Sequence, residues 1–228
     1  SQAWPTDGFS TRWFSEAIHN PGARDALRTS VEVGFAAMLI ALVLGTLAAY
    51  ALARYDFFGK ESISFLVILP IALPGIVTGM ALNATFTQVL HVSLAVWTVV
   101  VAHATFCIVV VFNNVAARLR RLSPSLEEAS ADLGADMFQT FRHVTFPLMR
   151  TALVAGALLA FALSFDEIVV TTFTAGSGFQ TLPQWILSNF SRPKDVPVVN
   201  VVATFVMVVS IPLAWLAQRL SDAGDTQR

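Results

Sequence analysis

The chain reads as all-α, a polytopic membrane helix bundle, and three observations predict it. Of its 228 residues 55% are hydrophobic and only 13% charged, and the charges are gathered into short stretches rather than spread over a surface. No Asp, Glu, Lys or Arg occurs from Ser62 to Ala117, a run far too long for one span and long enough for two at roughly 20 residues each. A single polar island, Arg118 to Pro147, interrupts the hydrophobic middle.

Taken in order, Thr29 to Ala53 is a first span, with Glu32 near its end. The uncharged run divides into a helix from about Ile63 and a second ending near Ala117, with a turn between Gln88 and Ser93. Thr151 to Thr174 is a fourth span, charged only at Asp166 and Glu167, and Asn200 to Gln218 is the last. Five spans place the two ends of the chain on opposite sides of the membrane. Short basic loops mark the cytoplasmic side: Arg54 and Lys60 flank one, Arg118, Arg120, Arg121, Arg142 and Arg150 mark the island, and Arg219 follows the last span. Residues 1–28 then form an external N-terminal segment, and 29–228 a transmembrane domain with a cytoplasmic loop at 118–148. An external start is expected to follow a further apolar span ahead of Ser1.

The island, RLRRLSPSLEEASADLGADMFQTFRHVTFP, has the makeup of two short helices. Ser123 caps a first helix whose first turn begins at Pro124 and carries Glu127 and Glu128; Gly134 supplies the turn; Asp136 caps a second helix that Pro147 ends. Such a pair cannot bury itself in lipid and is too polar to fold alone, so it either docks on a soluble partner or is an ordinary solvated loop.

Glu128-Ala129-Ser130, three residues, Gly134, nine residues, then Val144-Thr145-Phe146-Pro147 resembles the EAA loop of ATP-binding cassette importer permeases. The departures are Ser130 for alanine, Val144 for isoleucine and Phe146 for leucine. The resemblance implies the fold of a type I importer permease and an ATPase-coupling role for Glu127, Glu128, Ala129, Asp132, Leu133, Gly134, Ala135 and Pro147. It further implies a second related permease, two ATP-binding subunits, an external or periplasmic solute-binding protein, and residence in a bacterial inner membrane. The chain contains no G-x-x-x-x-G-K-[ST] run, so no cofactor is expected in it. ATP and Mg belong to the partner ATPase.

Inside the spans, Pro70, Pro74, Gly75 and Gly79 fall in the stretch ILPIALPGIVTG, where lost backbone hydrogen bonds predict a kink or an unwound segment facing a path, or a kink used for packing alone. Asp166 lies about 24 Å along a helix from Arg150, in the outer half of a core about 30 Å thick. Asp166 and Glu167, read as neighbours on one helix, point about 100° apart. One faces the path and the other a neighbouring helix or subunit. Both acids, Pro70, Pro74 and Asn83 are the candidate path residues. His103 is read as a packing histidine bonded to a neighbouring span, with a pore role as the alternative. Cys107 is alone mid-span, which excludes a disulfide framework. A net charge of −1 leaves no footprint for nucleic acid, and the scattered histidines give no metal-ligand spacing.

ALSFDEIVVTTFTAG (162–176) and the words Thr181-Leu182-Pro183-Gln184-Trp185 resemble the spermidine/putrescine-type permeases, and the second permease of such systems in particular, over essentially the whole chain. That resemblance implies ATP-driven import of polyamines or related small amines, with opine and aminobutyrate-like solutes as alternatives within the branch. Gln180, Trp185 and Arg192 are expected to meet the solute-binding protein, on a short interfacial helix 180–190 with Trp185 at headgroup level, beside an aromatic cluster of Trp4, Phe9, Trp13 and Phe14. Two other classes stand against it. An intramembrane protease built on Ser177 lacks a histidine in the later spans. An ion-coupled secondary transporter explains the acids and the broken helix but not the island.

Overall fold

The computed structural model describes residues 11–192 and 195–223. Trp4 and Phe9 of the expected aromatic cluster, and Pro193 and Lys194 of the loop after residue 190, lie outside the described residues. The described chain is helical throughout, with no strand. Its helices are α1 (Arg12–His19), α2 (Pro21–Arg54), α3 (Lys60–Ala72), α4 (Gly75–Ala84), α5 (Val96–Arg121), α6 (Ser125–Asp132), α7 (Met137–Thr140), α8 (Phe146–Asp166), α9 (Val169–Thr174), α10 (Leu182–Phe190) and α11 (Val196–Ala223). Wide π turns, Thr85–Val89 and Phe141–Thr145, extend α4 and join α7 to α8.

Three helical runs among the described residues are long and apolar enough to cross a membrane: α2, α5 and the run Met137–Asp166. The pair α3 and α4–Val89 passes that test only together, bent by 108°. In α11 the apolar stretch Val196–Pro212 is shorter.

The bundle is built around α5, of whose apolar window 56% is buried against 22% for α2 and 28% for the run Met137–Asp166. Its inward residues Ala102, Phe106, Cys107, Val111, Phe112, Val115 and Leu119 meet Ala41 and Ala49 of α2 and Met149 and Ala160 of α8. The buried stripe of α2 is mostly small, from Ala23 and Ala26 through Gly34, Ala37 and Ala41 to Gly45 and Ala49, which lets two backbones approach in the absence of a hydrophobic driving force between helices in lipid. At Gly45 a Cβ would stand 2.9 Å from the Ile108 carbonyl oxygen, 3.0 Å from Val111 Cβ and 3.1 Å from the Phe112 nitrogen. Gly45→Val is therefore expected to separate α2 from α5 and to cost about 3 kcal/mol, the upper end for an overpacked core. Thermal unfolding in detergent checks it, and an unchanged midpoint would contradict the close approach.

A second apolar cluster closes the end of the bundle opposite the polar island. Ala17 of α1, Ala23 and Ala26 of α2, Leu182 and Trp185 of α10, and Val198 and Val199 of α11 pack there, and the buried Leu182 N–H donates to Ser30 Oγ at 2.7 Å. At the island end, Lys60 Nζ donates to Asp56 at 2.8 Å and holds that carboxyl below its ordinary range. In contrast to both ends, α3 buries none of its residues. Phe65, Leu66 and Ile71 on it are exposed, a face suited to lipid or another subunit.

Candidate functional site

The polar island folds as expected at its centre and differently at its edges. Gly134 holds φ +85, a left-handed value that favours glycine, and the turn closes through Gly134 N–H to the Ala131 carbonyl at 2.8 Å and Ala135 N–H to the Ser130 carbonyl at 3.1 Å. Asp136 caps α7 as expected: its Oδ1 accepts from the Gln139 N–H at 2.8 Å, and Gln139 Oε1 accepts from the Asp136 N–H at 3.0 Å. A contact between Ser130 Oγ and Thr140 Oγ1 at 3.0 Å ties the two helices together.

Two edges need correction. The first helix begins at Ser125 with Pro124 as its cap residue, and the Ser123 side chain reaches only Ser125, at its N–H (3.3 Å) and its Oγ (2.7 Å). Pro147 does not end the second helix. Helical geometry runs from Met137 to Asp166, because the π turn just before Pro147 widens the ladder where a proline N–H is missing and its ring would meet a carbonyl.

The sequence-predicted coupling residues separate into two groups. Glu128, Ala129, Asp132, Leu133, Gly134 and Pro147 are exposed, and Ala135 is half-buried. Leu133 is 90% exposed, beside exposed Met137 and Phe138. Glu127 turns inward. Its Oε2 lies 2.9 Å from Arg54 Nε and its Oε1 accepts from Thr145 Oγ1 at 2.8 Å. The Arg54 contact is an ion pair rather than an aligned hydrogen bond, since the Nε–H finds no acceptor in line. Sequence reading missed Arg54 and Thr145, and nothing local points to them: Arg54 sits at the far end of α2 with the expected look of a topology-setting basic residue.

The helix break expected at ILPIALPGIVTG is present between Ala72 and Gly75. Leu73 and Pro74 are extended, at ψ 141 and 134; Pro74 disfavours the helical region for its predecessor and has no N–H to continue the ladder. Pro70 stays inside α3 without breaking it. Asn83, a candidate path residue, donates from Nδ2 to the Phe173 carbonyl at 2.6 Å and so ties α4 to α9.

A second break, which the sequence reading did not foresee, falls at the acidic pair. The expected fourth span 151–174 is not one helix: α8 ends at Asp166, and Glu167 is extended at ψ 119 before α9 starts. The two acids therefore do not lie 100° apart on one helix. Asp166 is exposed on the last residue of α8. Glu167 is half-buried and caps α9, its Oε1 accepting from the Val170 N–H at 2.9 Å.

Buried His103 of α5 spans this joint. Its Nδ1 lies 2.7 Å from Ser164 Oγ of α8 and its Nε2 2.9 Å from Thr171 Oγ1 of α9. Thr171 spends its proton on the Glu167 carbonyl at 2.8 Å, so it accepts from His103 Nε2–H, which leaves Nδ1 to accept from Ser164. His103 is a packing histidine bonded across helices, as read from the sequence.

At the opposite end a cleft of about 980 Å³ opens between the start of α2 and the segment 175–188, with Asp25, Arg28, Glu32, Ser177 and Gln184 on its walls. Arg28 Nε and Glu32 Oε1 pair across one helical turn at 2.7 Å. Of the three residues expected to meet a binding protein, Gln180 and Arg192 are exposed. Trp185 is only 7% exposed, packed within the second apolar cluster rather than presented on the surface.

The family model described as "Binding-protein-dependent transport system inner membrane component" matches residues 41–223, from mid-α2 through the polar island to the end of α11. The chain belongs to this family. It is similar to the putrescine transport system permease protein PotI of Escherichia coli K12, 33% identical over 97% of this chain and 80% of that protein. The spermidine/putrescine transport system permease protein PotC of Haemophilus influenzae is 35% identical over 94% and 82%. A putative 2-aminoethylphosphonate transport system permease protein PhnV of Salmonella choleraesuis is 31% identical over 96% and 86%. Among solved structures the fold resembles the MetNI methionine ABC transporter, with a TM-score of 0.68, 18% identity and coverage of 95% and 99%. It also resembles a bacterial ABC transporter involved in alginate import, at 0.72, 15%, 91% and 78%. The chain is thus an inner-membrane permease subunit of an ATP-binding cassette importer, and the ion-coupled secondary transporter falls away.

Proposed function

We propose that this permease imports polyamines or related small amines. The relatives carry the reading: over at least 94% of this chain, two are permeases for putrescine or for spermidine and putrescine. A third, for 2-aminoethylphosphonate, has a solute that is again a primary amine. The acidic pair at the α8–α9 joint suits such a solute, because a carboxylate where water is scarce compensates an ammonium and must hold it only moderately for release.

In this reading the permease works with a second related permease, two ATPase subunits that bind ATP and Mg, and an external binding protein. The exposed side of α6 and α7, with Leu133, Met137, Phe138, Glu128 and Asp132, is the surface offered to the ATPase. Closure of the ATPase pair moves this element and alternates access to a path beside the two broken helices. The cleft near Asp25 and Glu32, with Gln180 and Arg192 at that end, receives solute from the binding protein.

Proteoliposomes holding the full complex and its binding protein test the solute. Labelled putrescine uptake is expected to be inhibited by spermidine, and 2-aminoethylphosphonate to compete if the site reads the amine alone; uptake of none of the three would remove the amine reading. Orientation has its own test. A cysteine at Ser177 or Ser191 is expected to react with an impermeant thiol reagent from outside, and one at Ser125 only after permeabilisation. The reverse pattern would invert the topology and detach the polar island from the ATPase.

A further inference from the structure

We propose that Arg54, Glu127 and Thr145 form a clasp that makes α2 move with the coupling element. The inference rests on the reading that α6 and α7 dock on the ATPase. It adds how motion leaves them.

On its own, α6 has little hold on the spans. It buries no residue, and its side chains bond to the rest of the protein through Ser130 to Thr140 and through Glu127. Both Glu127 oxygens are used, one by Arg54 of α2 and one by Thr145 of the π turn. The pair is shielded, with side-chain exposures of 12% for Arg54 and 19% for Glu127, so water and salt weaken it less than a surface pair. The pairs Arg28–Glu32 and Lys60–Asp56, by contrast, join residues only four apart, each with at least one well-exposed side chain. They tie no two segments together.

The last turn of α2 also touches the remaining parts of the coupling element. The Tyr50 ring meets the Phe141 ring edge-on with centroids 5.8 Å apart, and Tyr55 O–H donates to Met137 Sδ at 3.6 Å. One helix end thus grips α6, α7 and the π turn. At its other end the same unbroken helix accepts the Leu182 N–H on Ser30 and lines the large cleft through Asp25, Arg28 and Glu32. Glu127 is therefore a positioning residue for α2, whereas Glu128, one position on and exposed, is free to face a partner.

The test uses the whole complex in proteoliposomes, with ATP hydrolysis and uptake measured together. In Arg54→Gln the ATPase is expected to co-purify and hydrolyse ATP while uptake per ATP falls about fivefold or more. Thr145→Val should show a smaller fall. The reversed pair, Arg54→Glu with Glu127→Arg, should recover at least half of the lost ratio, which a general loss of stability would not produce. A wild-type ratio in Arg54→Gln, or a reversed pair no better than that variant, overturns the clasp. Loss of the ATPase from Glu127→Gln but not from Arg54→Gln overturns it too, by giving Glu127 a direct contact. Leu133→Asp separates this from the docking reading: it should release the ATPase, and retention with normal solute stimulation would remove the dock and the clasp with it.

Discussion

Complexes carrying Gly134→Val are expected to insert and to lose uptake per ATP by about tenfold. Space is not the obstacle, because no atom lies within 4 Å of a Cβ built at Gly134. The obstacle is the backbone at φ +85, where a β-branched residue is strained by roughly 1–3 kcal/mol. The turn relieves that strain by opening, and the Gly134 and Ala135 N–H bonds that fix α6 against α7 go with it. The side chain introduced sets the size of the effect. Asn tolerates left-handed geometry, so Gly134→Asn should retain most of the coupling, with Gly134→Ala in between. Paired ATPase and uptake measurements on the three variants check the order, and wild-type coupling in the valine variant would contradict the role of the turn.

Replacing both acids, Asp166→Asn with Glu167→Gln, should lower uptake per assembled complex about tenfold, the equivalent of roughly 1.4 kcal/mol. The geometry makes this a test of charge. A glutamine at 167 still offers an oxygen to the Val170 N–H that Glu167 now accepts, so the joint keeps its cap. Glu167→Ala removes the cap as well and should cost about 1 kcal/mol in stability besides. Uptake normalised to intact complexes separates the cases. Wild-type uptake from the double variant would take the acids out of the path, and loss of the complex would assign them to helix association instead.

The sequence made legible whatever rests on local backbone chemistry. Gly134 and Asp136 marked the turn and cap of the polar island, and Pro74 marked the α3–α4 break, because each acts on its own neighbours. The α8–α9 break was hidden for the opposite reason. FDEIVV holds no Gly or Pro, and the chain opens there under bonds from elsewhere: His103 holds Ser164 and Thr171 from α5, and the Glu167 side chain caps the restarted helix. Pro147 misled because its usual penalty is absorbed by a π turn that no residue type announces. Trp185 looked amphipathic on α10 alone, and the α2 residues clustered with it lie far away in the chain. Arg54 and Glu127 were each read correctly as polar residues near an end, but a pairing between residues so far apart in the chain leaves no pattern in either neighbourhood.

The length of α2 sets where water ends on the outer side. Its 34 residues extend about 51 Å at 1.5 Å per residue, while a hydrocarbon core is about 30 Å thick. With Arg54 at the inner boundary, roughly the first 20 Å of the helix stands clear of the hydrocarbon, and that part holds Arg24, Asp25, Arg28 and Glu32. Four charges on a membrane helix then carry no burial cost. A solute delivered between that raised stretch and α10 keeps its hydration shell until it descends past Ser30, so the first dehydration of an ammonium group falls below the docking level rather than at it.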